Sequence, residues 1–118
     1  MRDDRLFLLD IVASTESLQS FIREKSREDF RKDKLLQSAL LHELSIIGEA
    51  ATKISQALQD KYPAVPWREI SGFRNQIVHA YFSLDLDIVW ETVANDVPEL
   101  LLQVGEILSN EFPGIASP

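Results

Sequence analysis

Apolar residues recur at intervals of three and four along four segments of this chain, the spacing that places them on one face of an α-helix. Four glycines and five prolines in 118 residues are too few turn residues for a many-stranded sandwich or barrel. The pattern predicts one all-α domain over residues 1–118, an up-and-down bundle of four to five helices. Its core is expected over about residues 4–110, with a frayed tail over 111–118.

The first half of the chain predicts two helices separated by a loop. Asp3 or Asp4 can cap a first helix over about residues 4–24. The apolar seam of this helix consists of Leu8, Ile11, Thr15, Leu18 and Ile22. Residues 26–34 have almost no apolar side chain and are expected to form the loop. In the long second helix, Gly48 indicates a close helix crossing. The apolar seam of this helix consists of Leu40, Leu44, Ile47, Ala51, Ile54 and Leu58.

The second half predicts two further helices. The proline-containing stretch 62–66 ends the second helix, and a third is expected over about residues 67–81. Asp85 can serve as the N-cap of a fourth helix. Because proline lacks an N–H group, Pro98 should kink this helix or restart it behind Asp96. Its apolar seam consists of Leu86, Trp90, Val93, Val97, Leu100, Val104 and Ile107.

The formal net charge of -7 is unevenly distributed. From residue 82 to 118 the chain has no Lys or Arg, so this acidic region suits a cationic partner or simply solubility. Half of the twelve bases lie in one polar segment, which can meet phosphate or, given its interleaved acids, form a solvated helix end. These six bases are Arg23, Lys25, Arg27, Arg31, Lys32 and Lys34.

The composition also limits which cofactors the chain can bind and in which cellular compartment we expect it. The chain has no cysteine and two histidines without a metal-binding spacing, so neither a disulfide nor a protein-built metal site is expected. No stretch approaches the roughly 18 apolar residues of a membrane span, and the N-terminus lacks the apolar middle of a signal peptide. We therefore expect a soluble, cytoplasmic protein without a cofactor.

Additional apolar positions widen the helix faces beyond one seam. They exceed what a small monomer needs to bury, so the sequence predicts a homodimer. These positions are Leu9, Leu36, Leu41, Ile46, Val89, Leu101 and Leu108.

The third helix carries the residues with the most distinctive chemistry, Arg74, Asn75, His79 and Tyr81. On an ideal helix His79 faces away from the core and lies about 140° around and ~7.5 Å along the axis from Arg74. One straight helix cannot bring both side chains to one atom, so either the helix bends or a second subunit completes the site.

An imidazole and a guanidinium suit phosphodiester cleavage. Imidazole exchanges a proton near neutrality, and arginine stabilises a phosphate that gains charge. In RNA the 2′-hydroxyl can act as the internal nucleophile, so His79 could be the general base or acid and Arg74 the stabilising cation, with Asn75 as the orienting group. Tyr81 shares the apolar stripe of this helix with Ile70 and Ile77, with Phe73 beside it, and can equally be a partly buried core residue.

Two other interpretations remain open. The same residues can form a non-catalytic module that binds nucleotide or RNA or docks a nucleotidyltransferase, or they can make only interface hydrogen bonds. Trp67 and Trp90 are interpreted as packing residues and His42 as an ordinary polar position.

The run over 67–82 resembles the signature of the HepT-like branch of HEPN domains. The family's Arg-x-x-x-x-His-x-Tyr motif corresponds to Arg74, His79 and Tyr81 without a gap, followed after the arginine by a polar residue, Asn75. Similarity extends over roughly residues 8–108, including stretches around Gly48, Trp90 and Pro98.

This resemblance implies a toxin of a prokaryotic type VII toxin-antitoxin pair. Such a toxin is a dimeric, metal-independent endoribonuclease with the motif at the subunit interface. Its partner is an MntA-type minimal nucleotidyltransferase antitoxin, which transfers AMP from ATP onto the motif tyrosine, here Tyr81. The resemblance makes Arg74 and His79 the catalytic residues, with Asn75 and Tyr81 in support.

Overall fold

The computed structural model describes residues 3–73 and 85–114. No strand occurs in these two ranges, so the predicted all-α class is confirmed. None of the helices in these ranges is long and apolar enough to cross a membrane. The elements are α1 (Asp4–Ile22), α2 (Arg27–Lys32), α3 (Lys34–Lys53), α4 (Gln56–Lys61), α5 (Trp67–Ser71), α6 (Leu86–Glu91), a π-helical turn (Thr92–Asp96) and α7 (Val97–Glu111).

The core forms where the predicted apolar faces meet. Helix α1 packs against α3 and α7, and α3 also packs against α5. Gly48 is buried on α3 beside Ala50 and Ala51, as expected for a close crossing. The predicted seams supply most of the fully buried side chains, among them Leu8, Ile11, Leu18, Leu40, Leu44, Ile47, Val93, Val97, Val104 and Ile107.

Helix α2 corrects the prediction of a loop over 26–34. The Oγ of Ser26 accepts a hydrogen bond from the N–H of Asp29 at 3.1 Å, and the Asp29 carboxylate accepts one from the N–H of Ser26 at 2.9 Å. This capping box satisfies two N–H groups at the start of the helix. Phe30 is fully buried, and its ring centroid lies 5.6 Å from that of Trp90. The contact between Phe30 and Trp90 and the capping box therefore stabilise this short polar helix.

The predicted long second helix is divided in two, which is a second correction. Helix α3 ends at Lys53, and Ser55 caps α4 by accepting a hydrogen bond from the N–H of Leu58. The Asp4 carboxylate accepts hydrogen bonds from the N–H of Ser55 at 2.8 Å and from its Oγ at 2.6 Å. Because Asp4 is distant in sequence, the apolar period gives no sign of this break.

The fourth predicted helix consists of α6, the π-helical turn and α7. The N–H of Val97 donates to the carbonyl of Thr92, five residues earlier, and Pro98 follows in the first turn of α7. The predicted interruption by Pro98 behind Asp96 is therefore confirmed. The seam differs before the turn, because Val89 is fully buried while Trp90 is only partly buried.

The end of α7 is held against α4, which corrects the predicted frayed tail at its first two positions. Glu111 accepts hydrogen bonds from the Lys61 ammonium at 3.2 Å and from the Tyr62 hydroxyl at 2.7 Å. Phe112 packs partly buried against the core. Residues 115–118 lie outside the described ranges.

Glu111 gives stability an expected pH dependence. Hydrogen bonds from Lys61 and Tyr62 hold the pKa of its carboxyl below the ordinary value of 4.5. A carboxyl whose pKa is lowered on folding stabilises the protein above its unfolded pKa and loses that effect as the pH falls through its folded pKa. We expect Glu111→Gln to lower the free energy of unfolding at pH 7 and to have less effect near pH 3, measured by urea unfolding.

The matched control is Glu16→Gln, since Glu16 is exposed on α1. It should behave like the parent at both pH values. An equal effect of Glu111→Gln at both pH values would contradict the assigned ion pair.

The seven apolar positions behind the predicted homodimer divide into three that are buried and four that are partly buried; the partly buried ones are Leu9, Ile46, Leu101 and Leu108. Leu36, Leu41 and Val89 are buried within the single chain, so they no longer argue for a second copy. Large apolar side chains are instead exposed at Ile88 (51%) and Leu102 (75%), among others. The dimer itself stays a prediction.

Candidate functional site

The four predicted site residues, Arg74, Asn75, His79 and Tyr81, lie in 74–84, outside the described residues. The structure places the two elements that border this stretch: α5 precedes it and α6 follows it. These two elements, their anchors and the surface between them are the described parts of the chain next to the motif in sequence.

Helix α5 is fixed to the core just before the motif. Its Trp67 is buried, and the indole N–H donates to the carbonyl of Tyr62 at 3.0 Å, so its interpretation as a packing residue is confirmed. Ile70 and Phe73 are also buried, as the predicted apolar stripe requires. The motif therefore begins one residue after an anchored side chain, Phe73.

Helix α6 is anchored by α2 just after the motif. The guanidinium of Arg31 donates from Nε at 3.1 Å and from Nη2 at 2.6 Å to the Asp87 carboxylate, while Arg27 forms an ion pair with Glu91. The hydrogen bond from Arg31 lowers the pKa of Asp87, and Asp87 raises that of Arg31. Because all four side chains are partly exposed, each pair adds little stability, but together with the Phe30 contact they fix the orientation of α6.

A groove runs between α5 on one side and α6, the π-helical turn and α7 on the other. It consists of two adjoining cavities of about 280 and 450 Å³ that share Glu69, Phe73 and Asp96. Its floor includes Ile70 and Leu100. Five carboxylates line it, those of Glu69, Asp87, Glu91, Asp96 and Glu99.

This groove has a clear electrostatic character. No lysine or arginine occurs among its described lining residues. Two of the five carboxylates, Asp87 and Glu91, are paired with Arg31 and Arg27. The negative charge of the described lining therefore comes chiefly from Glu69, Asp96 and Glu99, and it disfavours an RNA backbone.

Sequence reasoning missed the contacts between α2 and α6. Two signals were present: Ser26 three residues before Asp29 is typical of a helix start, and Arg27 with Arg31 has the i,i+4 spacing of one helix face. That this face meets Asp87, fifty-six residues away, follows only from the fold.

His42 is exposed on α3, as its interpretation as an ordinary polar position predicts. The part of the chain that the structure describes contains no group of three His, Asp or Glu side chains arranged to hold a metal ion.

The chain matches a known family over most of its length. The model of the family described as Ribonuclease HepT-like matches residues 11–107. "Putative RNase TTE0752" of Caldanaerobacter subterraneus subsp. tengcongensis is 40% identical over 111 residues, which cover 94% of this chain and 99% of the relative. "Probable ribonuclease HepT" of Thermococcus cleftensis is 39% identical over 99 residues, which cover 84% of this chain and 90% of the relative. No solved structure matches the chain.

The all-α fold agrees with this match, and the chain belongs to the HepT-like ribonuclease family. The resemblance to HepT-like HEPN domains that the motif indicates is thereby confirmed. Family membership and the relatives' names support a ribonuclease function.

Proposed function

We propose that this protein is a metal-independent endoribonuclease toxin that acts as a homodimer. The observation that carries the proposal is the family match over residues 11–107, which includes the uninterrupted motif of Arg74, His79 and Tyr81. The anchors on α5 and α6 support it, because they fix both ends of the stretch that carries the motif.

The reaction needs only groups that this chain supplies. One His79 takes the proton of the ribose 2′-hydroxyl, and the resulting oxygen attacks the adjacent phosphorus. The bond from phosphorus to the 5′-oxygen breaks, and that oxygen takes a proton from an acid, for which a second His79 in the dimer is the candidate. Arg74 stabilises the charge that grows on the phosphate, and Asn75 orients it. The products carry a 2′,3′-cyclic phosphate and a 5′-hydroxyl.

The test is incubation of the purified protein with RNA in excess chelator. We expect cleavage to continue at the rate measured without chelator. Mass spectrometry of the fragments should detect cyclic phosphate at the new ends. Loss of cleavage on chelation, or fragments that lack cyclic phosphate, would contradict the proposed chemistry.

The proposal includes regulation by an MntA-type minimal nucleotidyltransferase that attaches AMP to Tyr81. An added phosphate beside Arg74 would occupy the anion site and repel RNA. Co-expression with this partner should add AMP-sized mass increments at Tyr81 and block RNA cleavage, as measured by intact mass and peptide mapping. Tyr81→Phe is the control and should remain unmodified; modification at another residue would contradict the assignment.

A second candidate is a module that binds RNA or nucleotide, or docks the nucleotidyltransferase, without catalysis. The net charge of -7 and the acidic groove favour the docking form of this candidate, because carboxylates attract a basic protein surface and repel phosphates. Tight RNA binding without turnover would select this function instead.

A further inference from the structure

The core alone fixes the rotation of α6 about its own axis only weakly. This helix is six residues long, and Val89 is its one fully buried side chain. Leu86 and Trp90 are only partly buried. A single buried side chain holds a short helix at one point, so the direction in which α6 faces depends strongly on its contacts with α2.

Four charged side chains join α2 to α6, and we call them the ion-pair cluster: Arg27, Arg31, Asp87 and Glu91. Arg31 donates to the Asp87 carboxylate from Nε at 3.1 Å and from Nη2 at 2.6 Å. Arg27 forms an ion pair with Glu91, and its Nη1 lies 3.6 Å from Oδ1 of Asp87. Within each helix the two members are four residues apart and lie on one face. One register and one rotation of α6 therefore satisfy all these pairs together.

The chain passes from the motif stretch, residues 74–84, directly into α6. The next residue is Asp85, whose carbonyl accepts a hydrogen bond from the N–H of Val89 at 3.3 Å. Asp85 is thus tied to the first turn of α6, and any rotation of this helix moves the point at which the motif stretch ends. The stretch begins after Phe73, which is buried in the core. The ion-pair cluster therefore controls where one end of the stretch lies relative to the other.

We propose that the four residues of the ion-pair cluster are positioning residues, which hold α6 in the register and rotation at which the motif stretch can cut RNA. They act through the motif stretch and not by contact with RNA. The inference rests on the proposed function and adds residues of α2 and α6 to those on which cleavage depends.

The expected effect on cleavage is larger than the effect on stability. The four side chains are between 37 and 55% exposed, and ion pairs at such positions stabilise a fold only slightly. Catalysis is more sensitive, because a displacement of about 1 Å in a reacting group can slow a reaction about 10²-fold. A small rotation of α6 in a folded chain is therefore enough to reduce the rate.

The experiment reverses the charges of one helix at a time and then of both. The α2 variant carries Arg27→Glu and Arg31→Glu, and the α6 variant carries Asp87→Arg and Glu91→Arg. Each places like charges against each other and should lower kcat at saturating RNA at least about tenfold. The fourfold variant carries all four substitutions, so opposite charges face each other again, and it should recover most of the lost rate.

The same variants separate positioning from a direct effect of charge on RNA binding. The α2 variant makes the chain more negative and the α6 variant makes it less negative, while the fourfold variant keeps the net charge of -7. A direct effect would raise KM in the α2 variant and lower it in the α6 variant. Lost positioning instead lowers kcat in both.

A matched control applies the charge change of the α6 variant elsewhere. Glu16→Lys with Glu106→Lys alters exposed residues of α1 and α7 and should keep the kcat of the parent. Circular dichroism and thermal unfolding of every variant identify any loss of folding. If reversed charges unfold the chain, Asp87→Asn with Glu91→Gln removes the pairs without repulsion and should give a smaller fall in kcat.

The imidazole signals in an NMR spectrum report on the motif stretch without relying on cleavage. His79 and His42 are the two histidines of the chain, so His42→Ala assigns both sets of signals. The His79 signals should shift in the α2 and α6 variants and return toward those of the parent in the fourfold variant. The His42 signals, from an exposed position on α3, should stay unchanged.

Three outcomes would overturn the inference: the parent's kcat in a folded α2 or α6 variant, no recovery in a folded fourfold variant, or opposite changes in KM at constant kcat. A parent that cuts no RNA refutes the proposed ribonuclease. His79 signals that then respond as described leave the positioning role standing, whereas unchanged signals refute it too. A parent that cuts RNA while both variants keep its kcat refutes the positioning role alone.

Discussion

Replacing His79 with alanine is expected to reduce RNA cleavage by a factor of about 10² to 10⁴, the usual contribution of a positioned general acid or base. The residue is proposed both to take the proton of the 2′-hydroxyl and, from the second subunit, to protonate the leaving oxygen. One substitution therefore removes both proton transfers in a homodimer. The rate is measured from initial cleavage of a labelled RNA under chelating conditions.

The chain provides its own control for this experiment. His42 is the other of its two histidines and is exposed on α3, so His42→Ala should cut RNA at the parent rate. Circular dichroism of both variants checks that they fold. Parent-like cleavage by His79→Ala, or an equal loss in His42→Ala, would refute the assigned role.

Phe30→Ala should lower the free energy of unfolding by about 3–5 kcal/mol, the range for removing a large buried aromatic side chain. Phe30 is fully buried and is the main side chain that joins α2 to Trp90 of α6. Its loss leaves a cavity and weakens the anchor that supports the ion pairs of Arg27 and Arg31. Urea unfolding followed by circular dichroism gives the change.

Leu102→Ala is the matched control for that measurement. Leu102 is 75% exposed on α7, so its truncation should change stability by no more than about 0.5 kcal/mol. If Phe30→Ala proved as mild as Leu102→Ala, α2 would not be an integral part of the bundle.

The regular parts of the fold were predictable because each depends on local pattern. The buried face of α1 follows from its three-four period, since Leu8, Ile11, Thr15 and Leu18 all lie in the core. The interruption at Pro98 follows from a missing N–H group. In these cases the local structure is determined by interactions between residues only a few positions apart in sequence.

The errors arise where a distant side chain decides local structure. The break after α3 depends on Asp4, which accepts hydrogen bonds from Ser55. The short α2 depends on burial of Phe30 against Trp90. The argument for a dimer counted Leu36, Leu41 and Val89 as exposed, whereas all three are buried within a single chain. The spacing of apolar residues along the sequence does not predict these contacts between distant segments.

The candidate site combines predictable and unpredictable parts. Its chemistry follows from residue types at fixed spacing, and the family match supports that reading. The acidic groove beside Phe73 could not be foreseen, because it forms from α5 and α6, which are separated by the motif stretch itself. The assignments of Arg74, Asn75, His79 and Tyr81 stay predictions, of which the variants described above test those of His79 and Tyr81.

The π-helical turn lets one nearly continuous helix serve two different neighbours. An α-helix turns by about 100° per residue, and the extra residue in a wider turn changes which way the side chains beyond it face. Before the turn, α6 packs against α2 and α3; after it, α7 packs against α1. Removing one residue from 92–96 would rotate Asp87 away from Arg31 while leaving Val104 in place. The length of this turn therefore sets the angle between the face of α6 that contacts α2 and the face of α7 that is buried in the core.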